Sequence, residues 1–393
     1  MSTSTFIHNR INDLYPTIVQ DYQYLHQHPE LSFEEYNTSA YIQNVLDSLS
    51  IPYRAGIAGT GVLGILKGIN PSSRVIALRA DMDALPVTEE NEIAFCSSNN
   101  GVMHACGHDS HVAALLGAAR VLAEMRDSFE GTILLVFQPG EEQDPGGARL
   151  MLEDGVFDEY EPELILGQHS NMYEESGIVS FCNGAVMASA DEIHIKVKGK
   201  GGHGAMPHKH TDAVLAAAQV VVAMQQILSR TKNPFTPMSL TFGRFIADGA
   251  TNVIPHEVIL AGSLRCFDKE EREKAKQLIP IIGRHTAEAY LCEFEIKQDD
   301  GYPEVINDDQ VTNAARLFAQ EYLGTDHVKA FEPRTTSEDF GFYTEKYKGC
   351  FFRFGVRNQI ERGASHTSTF LIDEESLKTA AGTMAYLAIR FLQ

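Results

Sequence analysis

Residues 132–137 read Thr-Ile-Leu-Leu-Val-Phe without a polar interruption, and the run passes straight into Gln138-Pro139-Gly140-Glu141-Glu142. A strand with no polar alternation must be covered on both faces, which is the condition of a mostly parallel sheet packed between helices. Its end then carries two adjacent carboxylates. Like charges so placed repel and lose hydration, unless they share a cation or a proton. The ends of strands in open α/β sheets are also where ligand sites form. The run therefore predicts an α/β fold and asks for a metal whose other ligands lie elsewhere in the chain.

The surrounding pattern agrees. Residues 7–28 and 33–49 read as helices broken at Pro29, followed by strands over 61–67 and 75–81. Ser110 is placed to cap a helix running to Met125, and a helix over 147–154 and a strand over 164–167 follow the central run. Near residue 188 the pattern changes. Residues 192–198 alternate strictly, as in a strand with one wet face. A helix over 212–229, strands over 238–246 and 258–267, a charged helix over 269–291 and a strand over 293–297 complete a βαββαβ order, the signature of a ferredoxin-like module. Helices over 310–322 and 374–391 return the chain to α/β character. The expected organisation is a discontinuous catalytic domain of residues 1–187 and 301–393, interrupted by an inserted lid or dimerisation domain of residues 188–300.

A chain of 393 residues is too long for one ordinary core. Its 32 basic against 53 acidic residues, a formal charge of −21, argue against a nucleic-acid partner that depends on phosphate neutralisation. The opening residues show no basic and apolar leader, and the longest apolar stretch, 213–224, contains Gln219 and reads as too short for a bilayer. The expectation is a cytoplasmic protein with no membrane partner. The six cysteines have no paired spacing and read as reduced thiols.

Cys106 is the exception. Met103-His104-Ala105-Cys106-Gly107-His108-Asp109-Ser110-His111 places three histidines and a thiol within nine residues just before a helix. Thiolate and imidazole suit zinc or another borderline divalent ion. Taken singly, a histidine here is an ordinary loop residue and the cysteine a small core residue. Together with Glu141-Glu142 past one strand and His169 past another, they form three polar clusters at three strand ends, which points to one crevice.

At this point the chain resembles the family-20 metallopeptidases, in the amidohydrolase branch of hippurate hydrolases, auxin-conjugate hydrolases and N-acyl-diaminopimelate deacetylases. The matching stretches run almost end to end: residues 28–35 (His-Pro-Glu-Leu-Ser-Phe-Glu-Glu), 79–86 (Arg-Ala-Asp-Met-Asp-Ala-Leu-Pro), 104–111, 138–142, 201–208 (Gly-Gly-His-Gly-Ala-Met-Pro-His), 252–255, 337–340 and His366. The resemblance implies a zinc-exopeptidase-like catalytic domain. It also implies two divalent ions (zinc, manganese, cobalt or nickel) held by Cys106, His108, Glu142, His169 and His366, with Glu141 as general base and acid. One thiolate, one carboxylate and three neutral imidazoles carry about −2, which offsets two such ions in part. It further implies that Asp83 orients a metal-site group, that His203 donates to the tetrahedral oxyanion, and that Asn252 and Arg265 bind the substrate's carbonyl and carboxylate. Glu338-Asp339 read equally as support for the site or as a helix N-terminal charge pair. Asp81 has no assigned role, and His104, His111 and His208 are expected to be structural.

The implied reaction is hydrolysis of the amide of an N-acyl-amino acid, releasing a carboxylic acid and the amino acid. A dipeptidase or aminopeptidase on the same site is the alternative, and a non-catalytic metal-binding homologue is a third reading that an unliganded Glu141 argues against. Dimeric relatives imply a homodimer through the inserted domain, although the branch also holds monomers. The chain departs from the family pattern at Gly140, where alanine is usual, in Ser170-Asn171-Met172, which lacks an expected proline, and in Thr367-Ser368, where serine-proline is typical. The first frees the backbone beside the base; the other two flank ligands and bear on pocket shape.

Overall fold

The computed structural model describes residues 2–358 and 362–393. The chain separates into two compact units, one of residues 1–186, 306–333 and 339–393, the other of residues 187–305 and 334–338.

The first unit is built on an eight-stranded sheet in the spatial order Tyr53–Ile57, Gly61–Lys67, Thr132–Gln138, Val75–Asp81, Leu164–Glu175, Lys348–Arg357, Val179–Phe181, Val328–Ala330. The four central strands are parallel, while Gly61–Lys67 runs antiparallel to Thr132–Gln138. All seven residues of Thr132–Gln138 are buried, as its unbroken apolar sequence requires. Ile133, Leu135 and Phe137 join a core with residues of helices Thr3–Gln27, Tyr36–Ser48, His108–Glu124 and Ser376–Phe391. Each such fully buried side chain stabilises the fold by about 1.5–3 kcal/mol.

Three features of this unit differ from the sequence expectation. The helix expected to be capped by Ser110 begins at His108, with Gly107 before it at φ 94°. Ser110 instead donates its hydroxyl to the Gly107 carbonyl at 2.5 Å. The strand read as ending at Gly167 continues to Glu175, so His169 lies inside a strand, opposite Arg353, rather than past one. The central strand Lys348–Arg357 and the edge strand Tyr53–Ile57 were not marked by the sequence pattern.

The second unit has a four-stranded antiparallel sheet in the order Met238–Ile246, Glu257–Cys266, Asp191–Lys198, Glu293–Asp299. Helices Ala213–Met224 and Lys269–Ala289 supply the rest of its core. Asp191–Lys198 alternates buried and exposed residues almost without fault, which is why its period was readable. Asp212 caps the first helix, accepting from the N–H groups of Val214 and Leu215 at 3.0 Å. A wide turn at Ile227–Thr231 prolongs that helix, so Ala213–Thr231 is long and apolar enough to cross a membrane by length and composition, contrary to the sequence estimate. Its Ala213, Ala216, Ala217, Val220 and Met224 are spent on this unit's core. Arg272 fastens the second helix to the sheet through Asp191, at 2.6 and 2.8 Å.

Candidate metal centre

The ends of the parallel strands in the first unit bring the separated motifs together. Donor atoms of Cys106, His108 and His169 lie within 4.8 Å of one another, as do those of Cys106, Glu142 and His366 and those of His108, Glu141 and Glu142. The five expected ligands thus form two groups that share Cys106, with Glu141 against the same cluster.

Each donor is aimed by a neighbour. His108 Nδ1 bonds the Asp83 carboxylate at 3.1 Å and the Asp83 carbonyl at 3.0 Å, so it carries the proton. Nε2 is buried and without a hydrogen-bond partner, and it offers a lone pair once the ring gives up its second proton to a bound cation. Such a carboxylate–imidazole pair is the usual support for a metal ligand. Asp83 also accepts from the Glu142 N–H at 2.9 Å and the Ser32 hydroxyl at 2.6 Å, so one side chain orients two donors. His169 donates Nδ1–H to the Ser170 carbonyl at 2.8 Å and presents Nε2 at 3.4 Å from Cys106 Sγ. His366 sits at φ 67°, a left-handed conformation uncommon outside glycine, and its N–H bonds the Ala105 carbonyl at 2.7 Å. That bond delivers its Nε2 to 3.2 Å from Glu142 Oε1.

The electrostatics fit a cation. Hydrogen bonds to Cys106 and Glu142 raise His366 to about 10, so its imidazole bears a proton that a divalent ion displaces. Burial, together with Glu142, pushes the Cys106 thiol up. Burial lowers His108, but Asp81 and Cys106 outweigh it and hold that imidazole well above its ordinary value. His169 is driven well below, first by burial and then by His111 and Arg353. One soft thiol, one carboxylate and three imidazoles, with an orphaned buried ring nitrogen among them, suit a borderline divalent ion.

Behind the cluster, Arg79 is fully buried and donates to Asp81 at 2.5 Å, Asp339 at 2.9 Å and Gln138 at 2.8 Å. Asp339 also accepts from the Ala148 N–H at 2.9 Å, at the start of helix Gly147–Glu153. Asp339 thus combines a place in this buried network with a contact to a helix N-terminus, so its bonds fit both sequence readings. Glu35 is buried as well; it accepts from the Gly140 N–H at 2.9 Å and the Thr60 hydroxyl at 2.6 Å, and burial lifts it to about 7. Sequence reasoning missed Glu35, although it lies within the matched stretch 28–35. Gly140 stands at φ 58°, and a Cβ there would come within 2.3 Å of the Phe33 ring. This is why alanine does not serve at that position in this chain.

The profile of peptidase family M20/M25/M40 matches residues 77–390. The chain belongs to that family. It is 40% identical over 308 residues to the N-acyl-L-amino acid amidohydrolase of Geobacillus stearothermophilus, covering 78% of this chain and 82% of that one. It is 37% identical to the N-acetyl-L-cysteine deacetylase of Bacillus subtilis, over 94% of this chain and 87% of the other. Among solved structures, a Bacillus subtilis protein described as a dinuclear metal binding peptidase of the M20 family aligns at TM-score 0.84 with 32% identity, over 97% and 99% of the two chains. This M20/M25/M40 member is a metal-dependent hydrolase.

The remaining predicted residues lie in the second unit. His203 pairs with Val253 in a short two-stranded ribbon, and the Gly204 N–H bonds the Asn252 carbonyl at 2.8 Å, so His203 and Asn252 are neighbours. Both are exposed. Arg265 is near the other end of strand Glu257–Cys266, whose length from Glu257 is roughly 25 Å at 3.3 Å per residue. Its half-buried guanidinium has one nitrogen, Nη1, without a partner. It lines a cavity of about 330 Å³ with Lys232, Phe235, Ser239 and Phe267. Within this unit, therefore, Arg265 is not brought to His203 and Asn252.

Proposed function

We propose that the protein hydrolyses the amide bond of N-acyl-amino acids, using two divalent ions held by Cys106, His108, Glu142, His169 and His366. The observation that carries the reading is the pair of donor groups sharing Cys106, with Glu141 within 4.8 Å of both His108 and Glu142 donors. Divalent ions in such a set lower the pKa of water from 15.7 toward about 7 and polarise a carbonyl. Glu141 takes the proton of the attacking water and passes it to the departing amine. Glu35 holds the Gly140 turn from which Glu141 projects, and Asp83 fixes His108 together with the backbone of Glu142.

From the second unit, His203 is the proposed oxyanion donor and Asn252 the proposed partner of the substrate's carbonyl, while Arg265, the expected carboxylate partner, lies toward the far end of its strand from both. The sequence motifs support these roles, and the partner-free Nη1 of Arg265 suits a carboxylate. The names of the two amidohydrolase relatives favour an N-acyl-amino acid over a dipeptide. Zinc, manganese, cobalt and nickel all suit the donors. The six free cysteines support a reducing, cytoplasmic setting. The edge strand Met238–Ile246, with Phe245 and Ile246 exposed, supports a homodimer through the second unit.

The test is a hydrolysis panel of N-acetyl, N-benzoyl and indole-acyl amino acids and dipeptides, run on protein reconstituted with each metal. Turnover of the acyl-amino acids is expected. Preference for dipeptides transfers the reading to a peptidase, and inactivity on every substrate with every metal overturns it.

A further inference from the structure

We propose that His111 and Asp81 are positioning residues, which set the His169 imidazole through the backbone of Ser170. The inference rests on His169 being a metal ligand. It gives work to two side chains that the proposed chemistry leaves idle.

The need for them comes from the sheet. Val75–Asp81 pairs in parallel with Leu164–Glu175 only from Ile76 opposite Leu164 to Arg79 opposite Gly167. Beyond Gly167 that side of the second strand has no neighbouring strand among the described residues, yet Ser170 remains buried at 3% exposure. An unpaired backbone N–H in such a place costs about as much as a lost hydrogen bond. The His111 ring supplies the missing acceptor, with Nε2 at 2.9 Å from the Ser170 N–H.

An imidazole can accept at Nε2 only if its proton resides on Nδ1. His111 Nδ1 lies 2.5 Å from Asp81 Oδ1, which accepts that proton and so selects the tautomer. The other oxygen of Asp81 is taken by Arg79. The strand that stops pairing thus provides, from its last residue, the carboxylate that orients its own replacement.

Ser170 relays the constraint to two ligands. Its carbonyl accepts from His169 Nδ1 at 2.8 Å, and its hydroxyl donates to the Cys106 carbonyl at 3.1 Å. Gly107 makes room for this contact, since a Cβ there would stand 2.8 Å from Ser170 Oγ. Ser170 is therefore held at N–H, Oγ and carbonyl, and the direction of the His169 Nε2 lone pair follows. Ser170 also opens the stretch Ser170-Asn171-Met172, in which this sequence lacks the family's expected proline.

The test uses the full chain stripped of metal and titrated with Zn2+ against a chromophoric chelator. Wild type binds two ions, and His169→Ala loses one of them. Should His169→Ala keep both, the ligand assignment itself fails, whatever His111 does. Given that control, His111→Phe weakens one ion by about 10–100-fold and leaves the other, the usual effect of removing a ligand's outer partner. His111→Gln, whose carbonyl can still accept from Ser170, recovers most of the affinity. Wild-type affinity for both ions in His111→Phe, or equal loss of both ions in the Phe and Gln variants, overturns the proposal. A measurement on the unmutated protein guards against misfolding. In 15N-histidine NMR the ring of His111 is expected as the Nδ1–H tautomer, and an Nε2–H ring overturns the proposal without any variant.

Discussion

In the first unit Cys106, His108, Asp83 and Glu141 are at most 8% exposed, and the bonds of His108 to Asp83 and of Ser170 to Cys106 tie the cluster to two neighbouring strands of one sheet, Val75–Asp81 and Leu164–Glu175. In the second unit His203 and Asn252 stand exposed on a two-stranded ribbon, joined through the Gly204 N–H. The contrast is the one expected from the roles proposed for each set. Metal donors must be fixed before the ion arrives, because misaligned ligands lose affinity steeply. A donor to a charge that develops only during reaction must admit and release substrate, which a buried group cannot do. Rigidity and accessibility are divided between the two folds.

The largest expected effect lies on the buried side. Glu141→Gln should lower turnover by about 10²–10⁴-fold with metal content unchanged, measured by steady-state kinetics and elemental analysis. Loss of metal together with activity would mean that Glu141 is a ligand. The exposed side should respond through rate alone. His203→Ala is expected to cost about 10²–10³-fold in kcat, the usual penalty for one oxyanion donor, with an unaltered melting curve and both ions retained. A lowered melting temperature would break the contrast, by showing that His203 is built into its fold.

Buried charge sharpens the comparison through pH. His26 is 1% exposed between Asp109 at 2.6 Å and Glu89 at 3.0 Å. Burial lowers its pKa, but hydrogen bonds to Asp109 and Glu89 outweigh that and raise it to about 9. A folded-state value above the ordinary 6.5 adds stability that is complete below pH 6.5 and disappears as pH climbs through 9. Urea unfolding should therefore lose on the order of 3 kcal/mol between pH 6.5 and high pH, a loss absent in His26→Gln. The smallest effect is expected at Gly140. Gly140→Ala should destabilise by about 1–2 kcal/mol from the left-handed backbone and further from the Phe33 contact. Adding Phe33→Ala should remove the second part only, a coupling that a double-mutant cycle measures.

Much of this was legible because the motifs are local. Glu141-Glu142 follow an apolar run, and the cluster 104–111 opens a helix, so strand-end placement alone brought them together. The approach of His366 was not legible, because it depends on one tertiary bond to the Ala105 carbonyl and a positive φ. Lys348–Arg357 escaped notice because Arg353 interrupts its apolar run, although that side chain is 2% exposed. Leu164–Glu175 seemed to end at its polar residues, whereas Ser170 and Asn171 are buried strand positions. The roles of Asp81 and His111 were hidden for a related reason. Nothing local reports that a backbone N–H has lost its neighbouring strand. For the inserted segment the alternation of Asp191–Lys198 sufficed, since a one-sided sheet writes its burial into every second residue.

The bond from Arg79 to Asp339 spans 260 residues of chain. On a ribosome adding about 5–20 residues per second, roughly 10–50 s separate the synthesis of the guanidinium from that of its second carboxylate. During that interval the whole second unit emerges with its own core and is free to fold. The nascent first unit meanwhile holds a strand whose arginine still lacks its Asp339 partner, and the unit lacks His366. The proposed centre thus closes last, and a chain interrupted anywhere before residue 366 lacks one of its proposed ligands.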